Sequence, residues 1–243
     1  VNILFGSNNV VKDDLWIGLV PFSQTVNIGR TNTSWLDGTT FNWGPTSWSG
    51  CVDAQLGGLD EGDEPPTTPA NMLRAYYWPS DSNNQWITRT NPIRYASITS
   101  SRGPNKYCPQ AMTPMTNQKT AILSGINSMV AVGNTHVNFG ADWAWRMLSP
   151  KWRGLWGGTM NANDLPLDYG TENMQKVVIL LTDGQNTMSN GTRTGYWYLS
   201  DNRLGTTNSS RAVDELDRRT LAVCNAMKAK GIIIYTILYD LID

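Results

Sequence analysis

Apolar residues fall into a few dense runs along this chain, separated by long stretches that keep no period. The first run is Leu15-Trp16-Ile17-Gly18-Leu19-Val20, closed by Pro21 and Phe22. Proline removes a backbone donor and bends the chain, so the run reads as a buried strand ending in a turn. Thr25-Val26-Asn27-Ile28-Gly29 alternates and reads as a short strand reached by a tight turn. The strongest runs come late. Lys176-Val177-Val178-Ile179-Leu180-Leu181 leads into Thr182-Asp183-Gly184, and Ile232 through Tyr239 is almost wholly apolar. Both are too apolar for half-exposed strands and read as parallel strands buried on both faces. The expectation is one parallel sheet containing 15–22, 176–181 and 232–238, with helices on both sides.

Helical periods lie between these runs. Ile122, Leu123, Ile126, Met129 and Val130 share one face, with Gly133 as a stop. Residues 137–148 form a second helical stretch, halted before Pro150. A third spans 213–230, with Leu216, Leu221, Val223, Cys224 and Met227 toward the core and Gly231 as its cap. Helix, glycine, apolar strand is half of a doubly wound unit, so the fold class is α/β with a mostly parallel open sheet.

Residues 30–116 show neither period. They hold most of the prolines, Cys51 and Cys108, and the acidic cluster Asp60, Glu61, Asp63, Glu64 before Pro65-Pro66. So long a structureless loop is improbable in a compact domain, so short hairpins and tryptophan packing are expected within it. The acidic cluster lacks the ligand spacing of a calcium loop and reads as a solvated loop. Residues 151–173 and 185–212 read as further polar loops.

Composition narrows the function classes. The chain has 243 residues, 40% of them hydrophobic, only 16% charged, with 11 Trp. Packed rings are the ordinary use of so much tryptophan, and a sugar-binding face is the other. A net charge of −1, with no basic run beyond Arg218-Arg219, argues against nucleic-acid binding. No stretch reaches the ~20 apolar residues of a membrane span, and 1–11 lacks the pattern of a signal peptide. The chain does not begin with Met, so any anchor or address can lie outside it. Three cysteines without a C-x-x-C pair leave two readings open: three buried thiols, or one disulfide and a leftover thiol. With a single His, neither a Cys/His zinc site nor a Ser-His-Asp site is readily built.

Two places could carry chemistry. Asp183 stands at the carboxyl end of an apolar strand, where open parallel sheets bind ligands and where a carboxylate suits a hard cation. Its bland alternative is capping the next turn. Gly133-Asn134-Thr135-His136 lies between two helices. The Thr135 hydroxyl can ligate a cation or cap the next helix. His136 reads as a surface or helix-start residue rather than a base.

Taken together, Leu19-Val-Pro-Phe-Ser23, Gly133-Asn-Thr135, Val178-Ile-Leu-Leu-Thr-Asp-Gly184 and Gly231-Ile-Ile-Ile-Tyr-Thr-Ile237 resemble a von Willebrand factor type A (vWA) domain. Val20-Pro-Phe-Ser-Gln-Thr-Val-Asn-Ile-Gly29, Ser49-Gly-Cys-Val-Asp-Ala54, Pro65-Pro-Thr-Thr68 and Trp143-Ala-Trp-Arg-Met-Leu-Ser-Pro150 are similar to the vWA region of TadG-type proteins of bacterial tight-adherence (Flp) pilus systems. Leu181-Thr-Asp-Gly-Gln-Asn186 and Cys224-Asn-Ala-Met-Lys-Ala-Lys-Gly-Ile232 add to that likeness. The resemblance implies one vWA-like domain over 1–243, with 30–116 as an insertion. It implies a non-enzymatic binding or scaffolding module of the cell envelope, on the periplasmic or extracellular side of a bacterial membrane. Its partners would be a protein ligand or pilus components. A metal-ion-dependent adhesion site for Mg²⁺, Mn²⁺ or Ca²⁺ would use Thr135 and Asp183.

The family's Asp-x-Ser-x-Ser motif is absent, and the resemblance places it upstream of Val1, with 1–6 as the last turn of the helix that follows. It also implies a final helix beyond Asp243. With two of its ligands, the chain should bind metal weakly or not at all. A hydrolase or carbohydrate-binding protein using the Trp-rich insertion is the alternative; for it, rings should line an open cleft. The insertion lacks periodic core residues and needs a staple, so a Cys51–Cys108 disulfide is expected, with Cys224 unpaired here. The family's pattern would place a partner for Cys224 beyond Asp243.

Overall fold

The computed structural model describes residues 1–6, 10–38, 46–86, 98–183 and 185–238. Tyr239 and Gly184, named above, lie outside them. The architecture is mixed α/β, with three two-stranded sheets among the described residues. In chain order the elements are α1 (Asn2–Phe5), β1 (Ile17–Leu19), β2 (Val26–Asn27), β3 (Cys51–Val52), β4 (Thr113–Thr116), α2 (Lys119–Asn127), α3 (Val137–Leu148), α4 (Gly158–Ala162), β5 (Val177–Thr182), α5 (Ser209–Ala229) and β6 (Ile233–Leu238). Short 3-10 turns punctuate the connections, among them Leu59–Glu61.

The late apolar runs pair as expected. β5 and β6 are parallel, in register from Val177↔Ile233 to Thr182↔Leu238, with α5 as the crossover between them. The first run does not join them. β1 pairs antiparallel with β4, and the register slips between Ile17 and Leu19. The strand at Thr113–Thr116 was hidden by Pro114, which has no N–H to donate and is confined to edges and bulges of sheets. Within the region read as irregular, β2 and β3 form a two-residue antiparallel pair.

The helix α3 holds these pieces together. Nearly all of its residues are buried, and it packs against β1, β2, β5 and α5. Two glycines allow its close approach to the first strand. A Cβ at Gly18 would stand 2.1 Å from the Met147 sulfur, and one at Gly140 would stand 2.4 Å from the Phe22 ring. Trp35, Trp143, Trp152 and Trp156 meet mostly edge-on at 5.3–5.5 Å, joining the insertion to α3 in the main core.

Three expectations are corrected. The parallel strands are not buried on both faces. Val178 packs with Ala141, Trp145, Val223 and Met227 and Leu180 is buried, whereas Ile179 (56% exposed), Leu181 (58%), Tyr235 (58%) and Ile237 (48%) form an apolar outer face with no cover among the described residues. The period through 122–130 outruns its helix. α2 ends at Asn127, leaving Ile126, Met129 and Val130 exposed and only Ile122 well buried. On α5, Leu216, Val223 and Met227 face the core but Leu221 faces solvent.

Candidate functional site: the carboxyl end of the parallel strands

β5 runs out at Thr182, and Asp183 follows it, exposed, accepting one long 3.4 Å hydrogen bond from the Thr182 hydroxyl. The loop bearing Thr135 is tied to this same end. The Thr187 amide donates to the Thr135 carbonyl at 2.9 Å, and the Thr135 amide donates to the Thr187 hydroxyl at 2.8 Å. The two sequence candidates therefore lie on neighbouring loops, the second anchored four positions past Asp183.

The Thr135 loop is held by more than Thr187. Gln24, fully buried, accepts from the Asn134 amide at 3.0 Å and donates to the Arg193 carbonyl at 2.6 Å and to the Tyr76 hydroxyl at 3.0 Å. The His136 amide donates to the Ser23 carbonyl at 3.0 Å. Gly133 has φ +70°, and a Cβ there would lie 2.7 Å from the Gln24 amide oxygen and 2.9 Å from Tyr107 Cβ, so this turn needs glycine.

The capping role open to Thr135 is not taken up. His136 is the N-cap of α3 and makes no side-chain cap bond; the Val137 amide instead donates to the Asn186 side chain at 2.7 Å. Asn186 donates in turn to Asp217 of α5 at 2.7 Å, so one residue just beyond β5 fixes both helices. Gln24, Asn186 and Thr187 were not singled out from sequence. The signal was their position: polar residues at the carboxyl ends of apolar runs.

His136 is not at the surface. Its ring is fully buried 5.7 Å from the Tyr196 ring, and burial pushes its pKa down to about 4. It is neutral at physiological pH, sealed from solvent, and in no position to serve as a general base.

The acidic cluster is not a solvated loop. Asp60 and Asp63 are buried. Asp60 accepts from the Tyr196 hydroxyl at 2.5 Å and pairs with Arg219 of α5. Asp63 accepts from the Ser149 hydroxyl at 2.6 Å and from Lys151 at 2.8 Å. Burial alone would raise the Asp63 carboxyl; its hydrogen bonds from Lys151 and Ser149 and the Lys151 charge outweigh that and hold it below the usual carboxylate value. Arg146 of α3 donates to the Leu59 carbonyl at 2.6 Å, and Arg218 pairs with Glu61 at 2.5 Å. The cluster is a dock for the insertion on α3 and α5.

The insertion is also stapled. Cys51 and Cys108 form a disulfide with Cα atoms 5.8 Å apart, closing 57 residues, and Cys224 is a half-buried free thiol. Most tryptophan rings among the described residues are packed inside rather than laid out as a sugar platform. Trp35, Trp48, Trp78, Trp86, Trp143, Trp145, Trp152 and Trp156 are all buried.

Among the described residues, no three His, Cys, Asp or Glu side chains converge as a metal cluster, and no helix is long and apolar enough to cross a membrane. Comparison with known proteins supplies no relative: no family model, no curated protein and no solved structure matches the chain.

Proposed function

We propose that this chain is a vWA-like binding module of a bacterial cell-envelope protein, of the TadG type in tight-adherence pilus systems. It would engage a protein or pilus component through a divalent cation at the carboxyl end of β5. The observation that supports this reading most is the pairing of Thr135 with Thr187, which sets a threonine loop beside the strand end that carries Asp183.

The donor chemistry fits a hard cation. A hydroxyl and a carboxylate are oxygen ligands of the kind Mg²⁺ takes, and Mg²⁺ readily keeps several waters. Two protein ligands do not complete an octahedron, so binding by these residues alone is weak. The vWA reading also asks for a further central strand and a further helix. Among the described residues the β5–β6 sheet has no third strand and its outer face at Ile179, Leu181, Tyr235 and Ile237 has no cover, both compatible with that requirement. The burial of the tryptophans favours this reading over a sugar-binding one.

Calorimetric titration with Mg²⁺ and Mn²⁺ tests it. The expected result is weak, saturable binding that disappears in Asp183→Ala and falls in Thr135→Ala. Equal binding by the wild type and Asp183→Ala would overturn the assignment.

A further inference from the structure

Where Leu59–Glu61 docks against α3, three buried oxygens have no donor: Oδ1 of Asn138, of Asp142 and of Asp60. All three residues are at most 1% exposed. They belong to one connected group. Asn138 and Asp142 sit one turn apart on the same face of α3. The Asn138 amide donates to the Tyr196 hydroxyl at 2.7 Å, and that hydroxyl donates to Asp60 Oδ2. Asp142 Oδ2 meets Arg146 Nε at 3.0 Å, and nothing donates to its other oxygen.

A buried acceptor without a donor is costly, and a charged one more so. A single proton settles two of the three oxygens at once. We propose that Asp142 is held as the neutral acid, its Oδ1–H donating to Asn138 Oδ1, so that the dock of the acidic segment on α3 and α5 is a latch that loosens when this proton leaves.

The surrounding charges favour the neutral form. Burial pushes Asp142 up to about 8; Arg146 opposes this, and Asp60 and Asp63 add to it. Asp60 is paired with Arg219 and bonded to Tyr196, and Asp63 is bonded to Lys151, Ser149 and Tyr169, so neither carboxylate has a donor to spare for Asp142. Arg146 keeps its other contacts, to the Leu59 and Gly62 carbonyls and over the Trp143 ring at 4.7 Å, whichever form Asp142 takes.

The sign of the pH dependence follows. An acid whose folded pKa is raised contributes stability that is complete below its unfolded value, and that stability is lost as pH rises toward the folded value. His136 works in the opposite sense, but only below its ordinary value of 6.5. From 6.5 to about 8 His136 is silent, and Lys176, which burial lowers to about 8, enters only at the upper end and raises stability with pH, so a fall across the interval belongs to Asp142.

Thermal denaturation across that interval, on the wild type and on Asp142→Asn, is the test. The carboxamide donates to Asn138 permanently and still accepts from Arg146. The wild-type midpoint should fall from pH 6.5 to 8, while that of Asp142→Asn stays level and equals or exceeds the wild type at pH 8. If Asp142→Asn instead lowers the midpoint by several degrees and keeps the wild-type slope, Asp142 is an ordinary buried ion-pair partner and the proposal fails. Carbon-13 titration of the wild-type aspartate carboxyls gives a readout that does not depend on the variant folding. One carboxyl should titrate near pH 8, and completion of every aspartate titration below pH 6 would overturn the proposal.

Discussion

The insertion docked on α3 and α5 and the β5–β6 pair are opposites in both sequence and structure. The insertion has no period, many prolines and a charged cluster, yet it supplies Trp35, Trp48, Tyr76, Trp78 and Trp86 to the interior and buries Asp60 and Asp63. The parallel strands are the most regular and apolar segments of the chain, yet Ile179, Leu181, Tyr235 and Ile237 face outward. Periodicity reports which face of an element is apolar. It does not report whether anything covers that face, or whether an aperiodic segment is pinned from elsewhere.

Removing what pins the insertion should have the largest effects. Trp152 is fully buried, touches the rings of Trp35, Trp143 and Trp156, and donates to the Asp63 carbonyl at 2.9 Å. Trp152→Ala should cost about 3–5 kcal/mol in denaturant unfolding, by lost burial and a residual cavity. A cost below about 1 kcal/mol would mean that the insertion is not part of the cooperative core. Opening the staple comes next. The paired change Cys51→Ser and Cys108→Ser frees a 57-residue loop and should cost roughly 4 kcal/mol in the chain-entropy model. An unchanged midpoint would show that the docked acidic segment holds the insertion unaided.

The buried histidine sharpens the contrast through pH. His136 has a folded pKa below its ordinary value, so the unfolded chain takes up a proton that the native one refuses, and the His136 contribution to stability falls as pH drops from 6.5 toward 4, against the opposite trend of Asp142. Compared with His136→Asn, the wild type should lose about 3 kcal/mol across that range. Parallel curves for the two proteins would place His136 in water. The smallest effect is expected on the open sheet face. Ile179→Thr should shift stability by no more than about 0.5 kcal/mol, because that residue is more than half exposed. A core-sized loss there would reveal a covering partner in solution.

These contrasts also show what was legible beforehand. The bounds of α3 and the strand–helix–strand order of β5, α5 and β6 were readable because their periods are local and their stops, Pro150 and Gly231, sit beside them. β4 was missed because Pro114 breaks its pattern. The dock was missed because the groups that hold Asp60 and Asp63, namely the charges of Arg219 and Lys151 and the Ser149 hydroxyl, lie more than 80 positions away, beyond the reach of any window. At the candidate site, Thr135 and Asp183 were chosen from sequence, whereas Gln24, Asn186 and Thr187, which position the Thr135 loop, emerge only when the loops meet.

The same two regions can be told apart in the functional reading, since both carry carboxylates but those of the insertion are already paired. Paramagnetic broadening by Mn²⁺, followed amide by amide in NMR spectra, locates the ion directly. Broadening centred on 133–136 and 182–187 is the predicted result; broadening centred on 60–64, or spread without a centre, would contradict it.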